Sequence, residues 1–422
     1  MGENRDGKKS PRVVLTLGTK VLLLSVAAVL SVPGAFGLLT DHEARSRWEK
    51  RSLEVLPGWP GVLESSSYFA ALSRFADDHV GFALAVSRFV RRTRFYVLAD
   101  DPAVNISVGK DGFVFLNSHL PERPFDVFEF LCVKGANEAR YEHMALEVES
   151  TFEWFESRGY MPSLGIAVTK PVLYPENLPG RVPAKYRDAC RTFGSRPSIP
   201  RRLAALGRNS GRVIHYPFDE FMLQRAKPAF YPKECFHWYG LSAHVFARGL
   251  LAQLGIQAGP EFEEGATLDT VPADMHSFTG FGRRVTAWRF PYRAYGLEQR
   301  PGEPKMIVEY YRRARVEDFS TWTSATPLTD RSALLISNSF GENVAEHLAP
   351  GFERLIHVNV NRLERREWDD FFGRLVDQLG VTDVIFVLQD AAVAKAQFFR
   401  AVGRRGLARS DLGWDWVELG RQ

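Results

Sequence analysis

The chain has 422 residues, a length that allows one large domain or two medium ones. Its 45% hydrophobic and 25% charged content is that of a folded globular protein and excludes a disordered chain. The net charge of +4 is small, and basic residues are scattered among acidic ones, so the electrostatic footprint of a nucleic-acid binder is absent. Three cysteines, Cys132, Cys190 and Cys235, have no CxxC or Cys/His spacing that would suggest zinc. Their odd number permits at most one intramolecular disulfide and leaves one thiol, and the sequence does not select the pair.

Residues 13–40 are predominantly apolar, and the stretch from Val21 to Leu39 carries no charge, which is about the length that spans a bilayer core as a helix. Arg5, Lys8, Lys9 and Arg12 form a basic head over residues 1–12, so the positive-inside rule leaves that head in the cytoplasm and puts everything after Thr40 outside. The expectation is a single-pass signal anchor in the cytoplasmic membrane with the main domain periplasmic or extracellular. The rival reading is a cleaved signal peptide, with Ala35-Phe36-Gly37 as a poor cleavage site.

Residues 41–51 are charged and read as a juxtamembrane helix or linker. Within 68–98, Phe69, Leu72, Phe75, Phe82, Val86, Phe89 and Val90 recur at helical spacing, while Arg74, Arg88, Arg91 and Arg92 fall on other faces. This predicts an amphipathic helical pair packed on the domain, so that 41–100 forms a helical lead-in. Residues 105–116 read as two short strands around Gly109-Lys110-Asp111-Gly112, whose Asp-Gly pair is a hairpin signal. Neither P-loop nor GxGxxG spacing is present there, so a phosphate loop is a poor fit.

From 144 to 387 helical and strand patterns alternate. Residues 144–160 predict a helix, 164–168 a buried strand, 212–216 the next strand, 240–254 a helix, and 333–336, 355–360 and 383–388 further strands, with 368–379 helical. Pro171 and the segment Tyr174-Pro175-Glu176-Asn177-Leu178-Pro179 predict loop, because each proline removes a backbone donor. Such alternation predicts an α/β fold with a mostly parallel sheet covered by helices on both faces. Residues 259–329 show no clear repeat and read as a long excursion. Its Trp288, Arg289, Tyr292 and Arg293 are candidates to line a sugar groove, with ordinary packing and surface charge as the alternative.

Two stretches carry chemistry. Ser337-Asn338-Ser339-Phe340 follows the apolar run 333–336 and precedes a helical pattern beginning near Asn343. A strand that turns into a helix presents a hydroxyl at the carboxyl edge of a sheet, near the N–H groups of the helix start, which makes Ser339 a candidate nucleophile. Lys233-Glu234-Cys235-Phe236-His237-Trp238 lies just before the predicted helix at 240, and an imidazole there can reach across the sheet edge. Histidine is the usual base for a serine hydroxyl because its proton affinity suits neutral pH.

In the order of these features the chain resembles the alginate O-acetyltransferase family, SGNH hydrolase-like proteins that acetylate exported polysaccharides. The resemblance is carried by Gly109 to Phe115, by Lys170 with Tyr174 to Pro179, by Cys235-Phe236-His237-Trp238 and by Ser337 to Phe340, and it covers residues 68–388. It implies a three-layer α/β/α SGNH hydrolase-like domain over 101–410, with Ser339 as nucleophile and His237 as general base. It further implies acetyl transfer from a membrane-bound donor protein through a serine acyl-enzyme to hydroxyls of an exported polysaccharide, with no metal or organic cofactor and no nucleic-acid partner.

Two positions depart from the family pattern. The orienting Asp two residues before the histidine is Cys235 here, and a thiol is a weak acceptor for an imidazole N–H. The Gly-Asp before the nucleophile is Ser337-Asn338, where Asn338 can still hydrogen-bond within the turn. Glu234, Asp219 and Glu220 are the candidate replacement acids. The departures keep two alternatives open: a catalytically weakened domain that binds polysaccharide or scaffolds an export complex, and a carbohydrate esterase.

Overall fold

The computed structural model describes residues 68, 71, 75, 83–96, 101, 105–118, 123–275, 284–301, 319–360 and 376–395. The expected basic head, the signal anchor, the linker, most of the first lead-in helix and the start of the 368–379 helix lie outside the described residues. Among the described residues no helix is long and apolar enough to cross a membrane. The chain divides into two compact units, residues 1–93 with 279–281 and residues 94–278 with 282–422.

In the first unit, positions 68, 71 and 75 are helical, and helix α1 (Ala83–Tyr96) begins there and ends in the second unit. The helical expectation for this stretch therefore holds where it is described. Phe89 and Val90, which their spacing assigned to a buried stripe, are 70% and 47% exposed.

The second unit opens with the hairpin of β1 (Ile106–Val108) and β2 (Val114–Leu116), antiparallel in register Ile106 to Leu116. Asp111 and Gly112 both take positive φ, 54° and 78°, the left-handed conformation that an Asp-Gly turn supplies. Next come α2 (Glu138–Glu156), capped by the Asn137 side chain accepting from the Arg140 N–H at 3.0 Å, and β3 (Met161–Ala167). The short α3 (Lys170–Leu173) follows, then α4 (Ala184–Arg191), α5 (Ile199–Ser210), β4 (Val213–His215), α6 (Phe218–Gln224) and α7 (Leu241–Gln253). The remaining elements are the antiparallel pair β5 (Thr267–Pro272) and β6 (Arg284–Arg289), then β7 (Glu298–Pro301), β8 (Phe319–Thr323), β9 (Ser332–Ser337), α8 (Ala345–Leu348), β10 (Arg354–Asn359), β11 (Asp383–Gln389) and α9 (Asp390–Lys395).

Among the described residues seven strands form one sheet in the order β4-β3-β11-β9-β10-β8-β7. The five from β4 to β10 are parallel, while β8 joins β10 and β7 joins β8 antiparallel. The fold is thus mixed α/β with a large, mostly parallel sheet. The excursion at 259–329 is not irregular throughout, since it supplies β5 to β8.

Side chains alternate across the sheet with period two, and the alternation separates two apolar layers. On one face Leu334 and Ile336 of β9 and Val384, Phe386 and Leu388 of β11 meet Met144, Phe152 and Phe155 of α2 and Leu203 of α5. On the other, Leu335 of β9 and Ile385 and Val387 of β11 meet Val245, Phe246 and Leu250 of α7 and Leu348 of α8. Burial of both faces explains the unbroken apolar runs of these strands, and it places the strand ends, rather than either face, at the surface. A disulfide joins Cys132 to Cys190, which leaves Cys235 as the free, buried thiol.

Candidate active site

Ser339 stands two residues past the carboxyl end of β9, and the turn that presents it is built locally. The Asn338 Oδ1 accepts the Phe340 N–H at 3.1 Å, the Asn338 carbonyl accepts the Gly341 N–H at 2.9 Å, and the Asn338 N–H donates to Val387 O at 3.3 Å on the neighbouring strand. Asn338 therefore shapes the turn, as its side-chain chemistry allows. Of the N–H groups around the nucleophile, those of Phe340 and Gly341 are engaged by Asn338, whereas that of Ser339 has no acceptor among the described residues and can face an oxyanion.

Behind the turn, the buried Ser337 hydroxyl and His357 Nε2 lie 2.8 Å apart. Only glycine fits at 341, because a Cβ there would stand 1.8 Å from Ser337 Oγ.

His237 reaches this turn from the loop before α7. The loop is docked by Trp238, wholly buried, whose indole N–H donates to the Phe340 carbonyl at 2.8 Å, and by the Tyr231 hydroxyl, which donates to the Phe236 carbonyl at 2.8 Å. The Phe340 ring meets the imidazole edge to face with centroids 4.9 Å apart. In this setting His237 Nε2 lies 2.7 Å from Ser339 Oγ.

The other ring nitrogen, Nδ1, lies 2.6 Å from Asp274 Oδ2. Asp274 sits two residues beyond β5, at the start of the segment that connects β5 to β6. Its carboxylate also accepts the backbone N–H groups of Phe236 at 2.7 Å and His237 at 2.9 Å, so one acid fixes both the ring and the main chain that carries it. Burial pushes the Asp274 carboxyl up, but the His237 charge and these hydrogen bonds outweigh it and hold the group below its ordinary value. The ionised acid makes Nδ1 the donor and leaves Nε2 free to accept the serine proton.

The hairpin is held in place at Gly240, the residue before α7. Its φ is 54°, and a Cβ there would lie 2.1 Å from the Trp288 carbonyl of β6. Glycine thus lets the His237 loop close onto the hairpin that supplies the acid.

The orienting position consequently falls to Asp274 and not to Cys235. The Cys235 thiol is fully buried, and burial pushes its pKa up to about 12, which makes it a packed side chain rather than an acceptor or a nucleophile. Two of the three replacement acids considered from sequence have other partners: Asp219 pairs with Arg201, and Glu220 lies 3.2 Å from Gln224 and 3.9 Å from Arg248. Glu234 does not take the position, which Asp274 occupies.

Sequence reasoning missed Asp274 because β5 is exposed on both faces along most of its length and shows no alternating pattern. A search for any acid directly after a short β-rich stretch in 259–329 would have included it.

The proposed sugar-groove residues separate. Trp288 is partly exposed and donates to Pro228 O at 3.0 Å, Arg289 is exposed at 3.6 Å from Asp269, and Arg293 is exposed. Tyr292 is buried, its hydroxyl 3.1 Å from His244 Nδ1 and 2.5 Å from His347 Nδ1, so it cannot line a surface groove. No group of His, Cys, Asp and Glu among the described residues is arranged to hold a metal ion.

No family model matches the chain. No curated protein matches it either. Among solved structures it is similar to the O-acetyltransferase domain of Pseudomonas putida AlgJ, with 13% identity and a TM-score of 0.44, over 71% of this chain and 99% of that one. It is also similar to a DHHW family protein from Eubacterium siraeum, with 12% identity and a TM-score of 0.42 over 61% and 88% of the two chains. Bacillus cereus PatB1 gives 12% identity and a TM-score of 0.39 over 60% and 90%. These are likenesses of overall architecture and assign no activity to this chain.

Proposed function

We propose that this protein is a serine acyltransferase of the SGNH type, an O-acetyltransferase that moves an acetyl group through Ser339 onto hydroxyls of an exported polysaccharide. The observation that carries the reading is the continuous chain Asp274–His237–Ser339, with 2.6 Å and 2.7 Å on the two sides of one imidazole. A polysaccharide-binding scaffold has no need of such an arrangement, and a nucleophile, base and orienting acid have every need of it.

In the proposed reaction His237 Nε2 takes the proton as Ser339 Oγ attacks the donor carbonyl, and the Ser339 N–H faces the oxyanion. Collapse expels the donor's leaving group, which receives the proton from His237 and leaves acetyl on Ser339. An acceptor hydroxyl then repeats the sequence in reverse, giving the sugar ester and free Ser339. The acetyl group, the polysaccharide acceptor, a membrane-bound acetyl-donor protein and a membrane anchor at 13–40 belong to this proposal and are supported by the sequence resemblance.

The test is transfer from p-nitrophenyl acetate to an oligosaccharide by wild type and Ser339→Ala, with mass spectrometry of the protein after a short pulse. Wild type should gain one acetyl on Ser339 and Ser339→Ala none, with turnover falling by a factor of about 10³ or more. Equal rates in the two proteins would remove Ser339 from the mechanism. Acetyl released only to water would identify an esterase instead.

A further inference from the structure

Lys170 is fully buried at the start of α3, directly after the carboxyl end of β3, and its ammonium has no carboxylate within ion-pair distance among the described residues. Taking a lone cation out of water costs several kcal/mol, so whatever surrounds it must offset that cost. Here Nζ donates to three backbone carbonyls: Val114 at 2.6 Å, Lys233 at 2.7 Å and Pro232 at 3.5 Å. The rings of Phe113, Phe115 and Tyr231 stand 5.7 to 5.9 Å away and enclose it.

Val114 belongs to β2, whereas Pro232 and Lys233 open the loop that carries His237. The Lys233 carbonyl accepts from the Val114 N–H as well, at 2.9 Å, so the cation and the backbone close the same joint.

We propose that Lys170 is a positioning residue for the acyl-transfer site: its ammonium fastens the base of the His237 loop to the β1–β2 hairpin and so sets where the imidazole stands relative to Ser339. The proposal rests on the reading of the site given above. From Lys233 to the imidazole little slack remains, because the Cys235 N–H donates to Pro232 O at 3.2 Å, the Phe236 carbonyl is held by Tyr231, and the Phe236 and His237 N–H groups are held by Asp274. A shift of the anchored end is thus passed to the ring. Burial pushes Lys170 down to about 8, while Cys235, Asp274 and Glu234 act in the opposite direction, so the cation persists at neutral pH.

The experiment compares wild type with Lys170→Met, which keeps the chain length against the three rings and removes the ammonium. The first readout is turnover of p-nitrophenyl acetate. The second is the proton NMR resonance of the His237 Nδ1–H, identified by its loss in His237→Gln. The expected result is a kcat lower by about 10²-fold with little change in KM, as for a displacement of about 1 Å in a catalytic group, together with a shifted or lost His237 resonance.

Lys170→Gln, which is neutral but keeps a donor, gives the same two readouts if Lys170→Met does not fold. Unchanged kcat together with an unchanged resonance in the folded variant, whatever its melting temperature, overturns the proposal. If wild type shows no Ser339-dependent turnover, the reading of the site fails, and the resonance alone then decides the role of Lys170.

Discussion

Ser339 and Asp274 stand at the two ends of one hydrogen-bonded chain, yet the segments that hold them differ in kind. Ser339 is presented by a buried strand and a tight turn shaped by two bonds of Asn338 to Phe340 and Gly341, with further bonds to Val387 on the adjacent strand and from Trp238. Asp274 comes from the connection that follows the first strand of an exposed two-stranded hairpin and is fixed by bonds to a loop 37 and 38 residues away. The nucleophile's turn is therefore formed largely by local sequence, whereas the acid is placed by tertiary closure. Substitutions in the two regions should fail in different ways.

The largest effect is expected for Asp274→Asn. Loss of the orienting carboxylate should lower kcat by roughly 10³ to 10⁴, as for a serine triad whose imidazole takes the wrong tautomer. Because Asp274 also holds two backbone N–H groups, the variant should lose stability as well, measurable as a lower Tm. A kcat within tenfold of wild type would take the acid out of the site.

Cys235→Asp is next in size. It introduces the carboxylate of the family pattern at a fully buried position close enough to Asp274 for the two to repel. Turnover should not rise above wild type, and destabilisation of about 1–3 kcal/mol should appear in urea unfolding. A faster enzyme would mean that Asp274 leaves His237 incompletely oriented.

The smallest effect concerns the support behind Ser339. Burial lowers the pKa of His357 to about 4 from an ordinary 6.5. Above pH 6.5 neither folded nor unfolded chain binds this proton. Between 6.5 and 4 only the unfolded chain does, so stability falls as pH drops through that window. In His357→Gln this contribution vanishes, and the stability gap between the two proteins should narrow by up to about 1.4 kcal/mol per pH unit over the window, followed by denaturant melts. His215 and His244, also lowered to about 4, are present in both proteins and cancel in the difference. A gap that stays constant with pH would mean that His357 does not carry this linkage.

The same contrast governs what the sequence discloses. Strands β3, β9, β10 and β11 are buried on both faces of the sheet and read as apolar runs, and the Asp-Gly hairpin follows from a φ requirement confined to two residues. His237 and Ser339 were legible because a loop before a helix and a turn after a strand are local features. That they lie 2.7 Å apart is a tertiary fact.

Four strands of the excursion were not legible, since β5 alternates on no buried face and β7 and β8 pair antiparallel at the sheet edge. The helical pattern near Asn343 becomes only the four-residue α8, since Pro350 follows it within a tight turn that includes Gly351. Lys170, between a threonine and a proline, has no neighbour in sequence that signals its burial. Only the convergence of three carbonyls from distant segments makes its burial tolerable.

The cross-link between Cys132 and Cys190 spans 58 positions of sequence and encloses α2, β3 and α3. Closing a ring of that size removes enough freedom from the unfolded chain to favour the native state by about 4 kcal/mol in the chain-entropy view. That share of the stability exists only where thiols are oxidised. Material produced in a reducing cytosol should therefore melt earlier than material folded where the disulfide can form.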